Sequence, residues 1–377
     1  MATVSSLITG GAGFIGSHLA DRLLARGQRV RVLDNLIDQV HGESRTRPAY
    51  LSPRVELCVG DVRNASDLAA ALDGVDDVFH LAALVGVGQS MYQAAEYVDV
   101  NVRGTAVLML QLAKRPVRRL VVASSMSVYG EGEYVDADGQ RVPVPGRSLD
   151  NLRRGRWEAE DARGRPLTPV PTGEGKSPVL ASVYALTKFD QERLALIMGR
   201  AYGIPTVVLR FFNVYGPRQA LSNPYTGILA IFAAQLLNGR SPMLFEDGQQ
   251  RRDFVSVHDV VTACTLAAER SDAVGRAFNV ASGESRRIID VATGIARALG
   301  KDAPPEVTGK YRVGDIRHCF ADISLARDQL GFDPQVTFEH GISELAEYLG
   351  ARAAQGSVAS DRVQEACCEL EARGLTL

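Results

Sequence analysis

Short apolar runs alternate with longer stretches of helical period along most of the chain. Residues 4–9, 29–34, 55–59, 77–81, 120–124 and 206–211 are β-branched and almost continuously apolar, the pattern of strands covered on both faces of a parallel sheet. Between them, residues 14–26, 65–72, 91–114 and 182–202 carry apolar positions at helical spacing. This alternation predicts right-handed βαβ units and an α/β fold built on a doubly wound parallel sheet.

Two stretches break the alternation. Residues 131–180 are rich in Gly, Pro, Arg and acidic side chains and hold the single Trp, Trp157. That is too long for an ordinary loop, so it predicts an excursion with partial order of its own, either a surface flap or a lid over a substrate. After about Leu349 the chain turns Ala/Glu-rich, as expected of a peripheral helix or a frayed tail.

Composition narrows the class. The chain has 377 residues with 42 Lys plus Arg against 44 Asp plus Glu, a net charge of -2, which argues against nucleic acid or an anionic membrane as the main partner. The five cysteines, Cys58, Cys264, Cys319, Cys367 and Cys368, are not spaced as metal ligands and suit a reduced cytoplasmic chain, with no metal expected. No apolar run reaches the ~18 residues that span a bilayer. The N-terminus runs straight into a Gly-rich turn and reads as a first strand, not a signal peptide.

That turn, Thr-Gly-Gly-Ala-Gly-Phe-Ile-Gly at 9–16, follows a strand and opens a helix. Gly10, Gly13 and Gly16 allow a tight turn and close helix packing, and the helix N-terminus at Phe14 and Ile15 offers free N–H groups to a pyrophosphate. Asp34 ends the second strand about 20 residues on, where it can bond ribose hydroxyls; with Asn35 following, it favours NAD over NADP. Asp61 and Val62 follow the third strand and face either an adenine edge or a plain Asx turn. Leu81, Ala82 and Ala83 are small or apolar residues against which a cofactor can lie. His80 reads as a core histidine.

Tyr184 and Lys188 stand four apart on one helix face. A free Tyr has a pKa near ~10, and a neighbouring ammonium favours its phenolate, so Tyr184 can act as general base with Lys188 beside it. Ser125, in Ser-Ser-Met-Ser-Val-Tyr-Gly at 124–130, can hold a substrate hydroxyl in line.

With these pieces the chain resembles the extended short-chain dehydrogenase/reductase superfamily, specifically its NAD-dependent sugar-nucleotide epimerases, from Val4 to about Leu349. Further matching motifs are Asn-Val-Arg-Gly-Thr from Asn101, Leu-Arg-Phe-Phe-Asn-Val-Tyr-Gly-Pro at 209–217, Arg-Asp-Phe-Val-Ser-Val-His-Asp at 252–259 and Gly-Asp at 314–315. The resemblance implies a Rossmann-type domain over 1–212 plus about 254–281, with 131–180 as an insert. It also implies a smaller, discontinuous sugar-nucleotide domain over about 213–253 plus 282–349, leaving 350–377 as a C-terminal helix or tail. It makes Ser125, Tyr184 and Lys188 the catalytic set, with Tyr184, Lys188 and Asn101 also at the bound NAD. Val85, Ser125 and Ser127 fall beside the sugar. Asn213, Arg252 and Arg312 fall at the diphosphate, and Asp315 at a nucleotide ribose. Arg forks match phosphate oxygens, although Asp253 beside Arg252 and Asp315 near Arg312 also allow ordinary ion pairs. A homodimer through 91–114 and 182–202 is implied as well.

Within that resemblance the reaction follows by subtraction. Dehydratases of the family carry Asp-Glu where Met126 and Ser127 stand, decarboxylases a Glu in that segment, and 3,5-epimerases a Cys. What remains is 4-epimerisation through a 4-keto sugar. Val85 replaces a Lys common in galactose epimerases. The phrases at 125–132 and 214–227, with the insert, resemble a bacterial subgroup converting dTDP-L-rhamnose to dTDP-6-deoxy-L-talose. UDP-glucose/galactose or UDP-glucuronate 4-epimerisation is the alternative. A sugar-nucleotide ketoreductase or a non-catalytic NAD-binding relative is the alternative of another class.

Overall fold

The computed structural model of the protein describes residues 3–43, 45–219, 227–312, 314–354 and 363–376. Its centre is a parallel sheet of seven strands: β1 (Ser5–Thr9), β2 (Arg29–Asp34), β3 (Glu56–Val59), β4 (Asp77–His80), β5 (Arg119–Ser125), β6 (Thr206–Phe211) and β7 (Ala277–Val280). The spatial order is β7-β6-β5-β4-β1-β2-β3. The order reverses beside β1, where Thr9 pairs with Leu33 on one side and His80 on the other. Strand C-termini diverge at such a switch point and leave a crevice for a ligand.

Helices α1 (Phe14–Ala25), α2 (Ala65–Ala71), α3 (Gly104–Lys114), α4 (Val183–Tyr202), α5 (Ile228–Leu237), α6 (Val257–Glu269), α7 (Ile288–Ala298), α8 (Phe338–Ala354) and α9 (Val363–Ala372) account for most of the remaining order. Helix α4 starts where Ser182 Oγ accepts the Ala185 N–H and stops where Gly203 takes a left-handed conformation, φ 67°. One face of the sheet buries Leu19, Leu23, Val260 and Ala263 of α1 and α6; the other buries Leu68, Leu108, Leu112 and Ala195 of α2, α3 and α4. A separate core joins Phe232, Phe254, Ile295, Phe338 and Leu345.

Four expectations need correction. The predicted strand over 55–59 lies at the sheet edge, so Val59 is 66% exposed and only Val55 is buried. Strand β7, four residues long, was not read from the sequence. The helix expected over 91–114 is broken into a turn at Ala94–Tyr97, a wide turn at Val98–Arg103 and α3. There Asn101 directs its side chain to Leu84 and Thr187, while Thr105 Oγ1 donates to Asn101 O at 2.6 Å. Side-chain bonds of this kind compete with the helical ladder.

The fourth concerns the insert, which is no loose flap. Glu133–Val135, Arg141–Val142 and Thr168–Val170 form a three-stranded antiparallel sheet over Tyr134, Val144, Ala159 and Leu167. Arg147 pins it to the body, 3% exposed between Glu131 and Glu246. The tail is helical and docked: Leu370 is buried, Glu371 pairs with Lys310 and Arg373 lies over Tyr92.

Candidate active site

Gly10 has φ +69°, and a Cβ on it would fall 2.8 Å from Ala82 N. Only glycine therefore lets the first turn lie against the Leu81-Ala82 backbone after β4. A Cβ on Gly16 would meet Gly11 Cα at 2.5 Å, so α1 reaches the sheet only without one. Gly13 caps α1 without a side chain, and the first turn holds no acid. Phe14 and Ile15 thus begin a helix whose first N–H groups have no side-chain cap, an arrangement suited to phosphate.

Asp34 does two jobs. Its carboxylate accepts from Ala12 N at 3.0 Å and from Leu36 N at 2.9 Å, locking the Gly-rich turn to the end of β2. Leu36 is held at φ 50°, an uncommon conformation for a bulky residue. His41 lies 3.7 Å from the Asp34 carboxylate, and burial lowers that imidazole's pKa against the carboxylate's pull. Asp61 makes the Asx turn, accepting the Arg63 N–H at 2.8 Å, and also pairs with the Arg63 guanidinium; that pairing lowers its pKa to about 2. Asn35 donates to Asp61 at 3.2 Å. Val62 packs on Gly104. The glycine cradle, the open helix end and the acid at the end of β2 fit NAD.

Two buried polar residues stand beside the cofactor crevice. Asn101 is fully buried. Its Oδ1 takes the Leu84 N–H at 2.7 Å and its Nδ2 donates to Leu84 O and Thr187 Oγ1, so it fixes the 84 loop to α4. His80 is a core residue as expected: Thr9 Oγ1 and Thr105 Oγ1 bond its two nitrogens, and burial lowers its pKa to about 3.

Ser125, at the end of β5, and Tyr184, in the first turn of α4, meet across the crevice. Ser125 Oγ donates to Ser127 Oγ at 3.1 Å and accepts the Ser127 N–H. Ser90 Oγ accepts the Tyr184 N–H at 3.0 Å, and Tyr97 packs edge-on to the Tyr184 ring. Burial pushes the Tyr184 phenol above its usual range, against a Ser125 hydrogen bond that favours the phenolate. Lys188 Nζ donates to Gln191 Oε1 at 2.7 Å, and burial lowers its pKa to about 7, opposed by Glu192. Desolvation penalises both charged forms, so burial works against the phenolate and the ammonium alike.

Sequence reasoning missed what stands behind these groups. Gln191 Nε2 donates to Thr105 Oγ1 at 2.8 Å, linking Lys188 to His80 and Thr9. Glu192 takes Ser124 Oγ and a two-pronged bond from Arg210, whose Nη1 reaches Tyr129 OH at 2.9 Å. Arg210, a charge inside the apolar run of β6, was the available signal; Glu192, among polar neighbours on α4, offered none.

At the other end, Arg252 Nη1 donates to Arg317 O at 2.9 Å, its Nη2 to Ile316 O, and Asp315 lies 3.7 Å from it. Arg312 stacks over Phe245 at 4.1 Å. Of the two acids beside these arginines in sequence, Asp315 neighbours Arg252, while Asp253 is buried and accepts from the Ser282 and Gly283 N–H groups. Asn213 Nδ2 donates to Asp253 O at 3.0 Å. Val85 is 45% exposed, and the partly exposed Ser127 bonds Ser125. Residues 220–226 of the 214–227 phrase, and the side chain of Cys367, lie outside the described residues.

The sequence model of the NAD dependent epimerase/dehydratase family matches residues 6–148 and 164–281. A dTDP-L-rhamnose 4-epimerase of Burkholderia thailandensis is 38% identical over 348 residues, covering 91% of this chain and 94% of that protein. The UDP-glucose 4-epimerase structure from Thermotoga maritima with UDP-glucose has a TM-score of 0.75 at 28% identity, covering 93% of this chain and 100% of that one. The UDP-glucuronic acid 4-epimerase of Bacillus cereus, solved with UDP-glucuronic acid and NAD, has a TM-score of 0.73 at 28% identity, covering 92% and 99%.

Proposed function

Since this chain belongs to the NAD dependent epimerase/dehydratase family and is an NAD-dependent nucleotide-sugar 4-epimerase, we propose that its substrate is dTDP-L-rhamnose and its product dTDP-6-deoxy-L-talose. The observation that carries this reading is the 38% identity, over 91% of the chain, to a dTDP-L-rhamnose 4-epimerase. The exposed apolar Val85 suits a 6-deoxy sugar. UDP-glucose and UDP-glucuronate are the competing substrates, favoured by the UDP-sugar epimerases of like fold.

In this reading Gly10, Gly13, Phe14, Ile15 and Gly16 hold the NAD pyrophosphate, and Asp34, with Asn35, Asp61 and Val62 beside it, holds the adenosine end. Leu81, Ala82 and Ala83 line its path. Bound there, NAD supplies reversible two-electron oxidation at sugar C4. Ser125 orients the C4 hydroxyl and Tyr184 takes its proton, then returns it, while Lys188 favours the phenolate and bonds the nicotinamide ribose. Asn213, Arg252 and Arg312 retain the diphosphate and Asp315 the nucleotide ribose, so the 4-keto sugar can turn about its link without leaving. We take the pieces 213–253 and 282–349 as the sugar-nucleotide part.

Two further features belong to the same reading. Val98 and Leu110 before and along α3, with Leu186 and Ile197 on α4, expose 44%, 52%, 41% and 58% of their surface, an apolar face that suits a second copy of this chain. Among the described residues no helix is long and apolar enough to cross a membrane, and Cys58, Cys264, Cys319 and Cys368 are free, which suits a reducing cytoplasm.

Proton NMR in D2O with NAD and a panel of dTDP- and UDP-sugars tests the substrate. A 4-epimer of dTDP-L-rhamnose, free of deuterium, is expected. Turnover of a UDP-sugar alone would replace the substrate named here. Deuterium at C3 or C5, or loss of water or carbon dioxide, would overturn 4-epimerisation.

A further inference from the structure

The insert 131–180 meets the crevice wall through several residues, Arg147 among them. Arg147 is 3% exposed and reaches three separate chain segments. It contacts Glu131 at 3.1 Å and Glu246 at 2.7 Å, and it donates to Asp315 O at 3.0 Å and Trp157 O at 3.1 Å. Two of those contacts adjoin the residues read as diphosphate-binding. Beyond Asp315, the carbonyls of Ile316 and Arg317 accept the Arg252 guanidinium. Before Glu246, the Phe245 ring carries Arg312. Arg147 therefore ties the support of one arginine to the support of the other. Its planar fork can satisfy several acceptors in fixed directions, which an ammonium cannot.

A second guanidinium braces the same joint. Arg317, 1% exposed, pairs with Glu246 at 2.9 Å, Asp247 at 2.6 Å and Glu158 of the insert at 2.6 Å. Glu131 accepts the Arg317 N–H at 2.8 Å. The two buried guanidiniums thus meet at Glu246, with Glu131 on the Arg147 side and Asp247 and Glu158 on the Arg317 side. The insert keeps its own strands and its own apolar cluster, so this ionic joint is additional to its fold.

We infer that Arg147 is a positioning residue through which the insert sets the spacing of Arg252 and Arg312, and so governs nucleotide-sugar affinity rather than chemistry at the sugar. This rests on the reading of Arg252 and Arg312 as diphosphate contacts. The test uses the NAD-loaded full chain, with Arg147→Met and Arg147→Lys; the second keeps the charge and loses the fork if the first does not fold. Steady-state kinetics give KM and kcat, calorimetry gives Kd for dTDP and for UDP, and absorbance gives NAD content. The expected result is a rise of about tenfold in KM and in the better nucleoside diphosphate's Kd, with kcat within about threefold and NAD content unchanged. A KM within twofold of the parent in the folded variants overturns the inference, as does a fall in kcat that matches the rise in KM. Arg252→Ala and Arg312→Ala, run beside them, separate the two claims. If these leave nucleoside diphosphate binding unchanged, the reading of the diphosphate site fails. If they weaken it while Arg147 variants do not, only the positioning role fails.

Discussion

Lys188 Nζ donates to Gln191 Oε1 over 2.7 Å, three positions along the same face of α4. Gln191 in turn donates to Thr105 Oγ1, so the amine is anchored to a buried polar chain that ends at Thr9 in the Gly-rich turn. Burial lowers the Lys188 pKa to about 7, against an ordinary value of 10.5. Between those values the unfolded chain holds a proton that the folded protein lacks, so this group makes stability rise with pH. Urea unfolding at pH 7 and pH 9 should show the parent gaining on Lys188→Met. Equal changes in both proteins would contradict the assignment.

Tyr184 touches the reacting hydroxyl in the proposed mechanism, so Tyr184→Phe should lower kcat by about 10²–10⁴-fold. NAD should stay bound, since the glycine cradle and Asp34 are untouched. The check is epimer formation by NMR alongside cofactor absorbance of the purified variant. A variant with full turnover would remove Tyr184 from the chemistry.

Glu192 and Arg210 form a buried pair at 2.6 Å, 2% and 7% exposed at their side chains. Removing one partner leaves an uncompensated charge, at a cost of about 3–5 kcal/mol. Arg210→Met should therefore lose that much stability in urea, while Arg210→Met with Glu192→Gln recovers part of it. A double variant no more stable than the single one would show that the charge is not the cause.

Asp34 holds two backbone N–H groups besides its proposed ribose role. In Asp34→Ala each orphaned donor costs roughly 1–3 kcal/mol, and NAD retention should fall with stability. Asp34→Asn keeps an acceptor and should melt closer to the parent. Differential scanning with and without added NAD distinguishes the two effects.

Ile197 and Leu110 are the most exposed apolar residues of the α3–α4 face. If that face joins two copies, Ile197→Glu should convert a dimer to a monomer in analytical ultracentrifugation. An unaltered sedimentation coefficient would place the interface elsewhere.

Much of this was legible along the chain. The turn at 9–16 could be read because each glycine answers a local demand: Gly10 sits at positive φ, and Gly16 lies against Gly11. Strands β1, β2 and β6 kept their predicted cores because a strand buried on both faces must be apolar throughout. The break at Val98–Arg103 was invisible, since the bonds of Asn101 to Leu84 and Thr187 span 17 and 86 positions. The placing of Asp315 beside Arg252, of Arg312 over Phe245 and of Asp253 against Ser282 was equally hidden, because neighbours in sequence are not neighbours across a loop.

The sequence by itself determined the alternation of strands and helices, the glycine cradle, the acid that ends β2 and the Ser125, Tyr184 and Lys188 set. These depend on side-chain period and on fixed spacing within one element or one turn. It took the folded chain to have Asn101 tie the 84 loop to α4 and Gln191 anchor Lys188, to have β7 complete the sheet, and to set Arg147 between the insert and the supports of Arg252 and Arg312. Those roles depend on which distant groups meet once water is excluded. Burial then forces every charge and donor to find a partner, and no local pattern records which partner that will be.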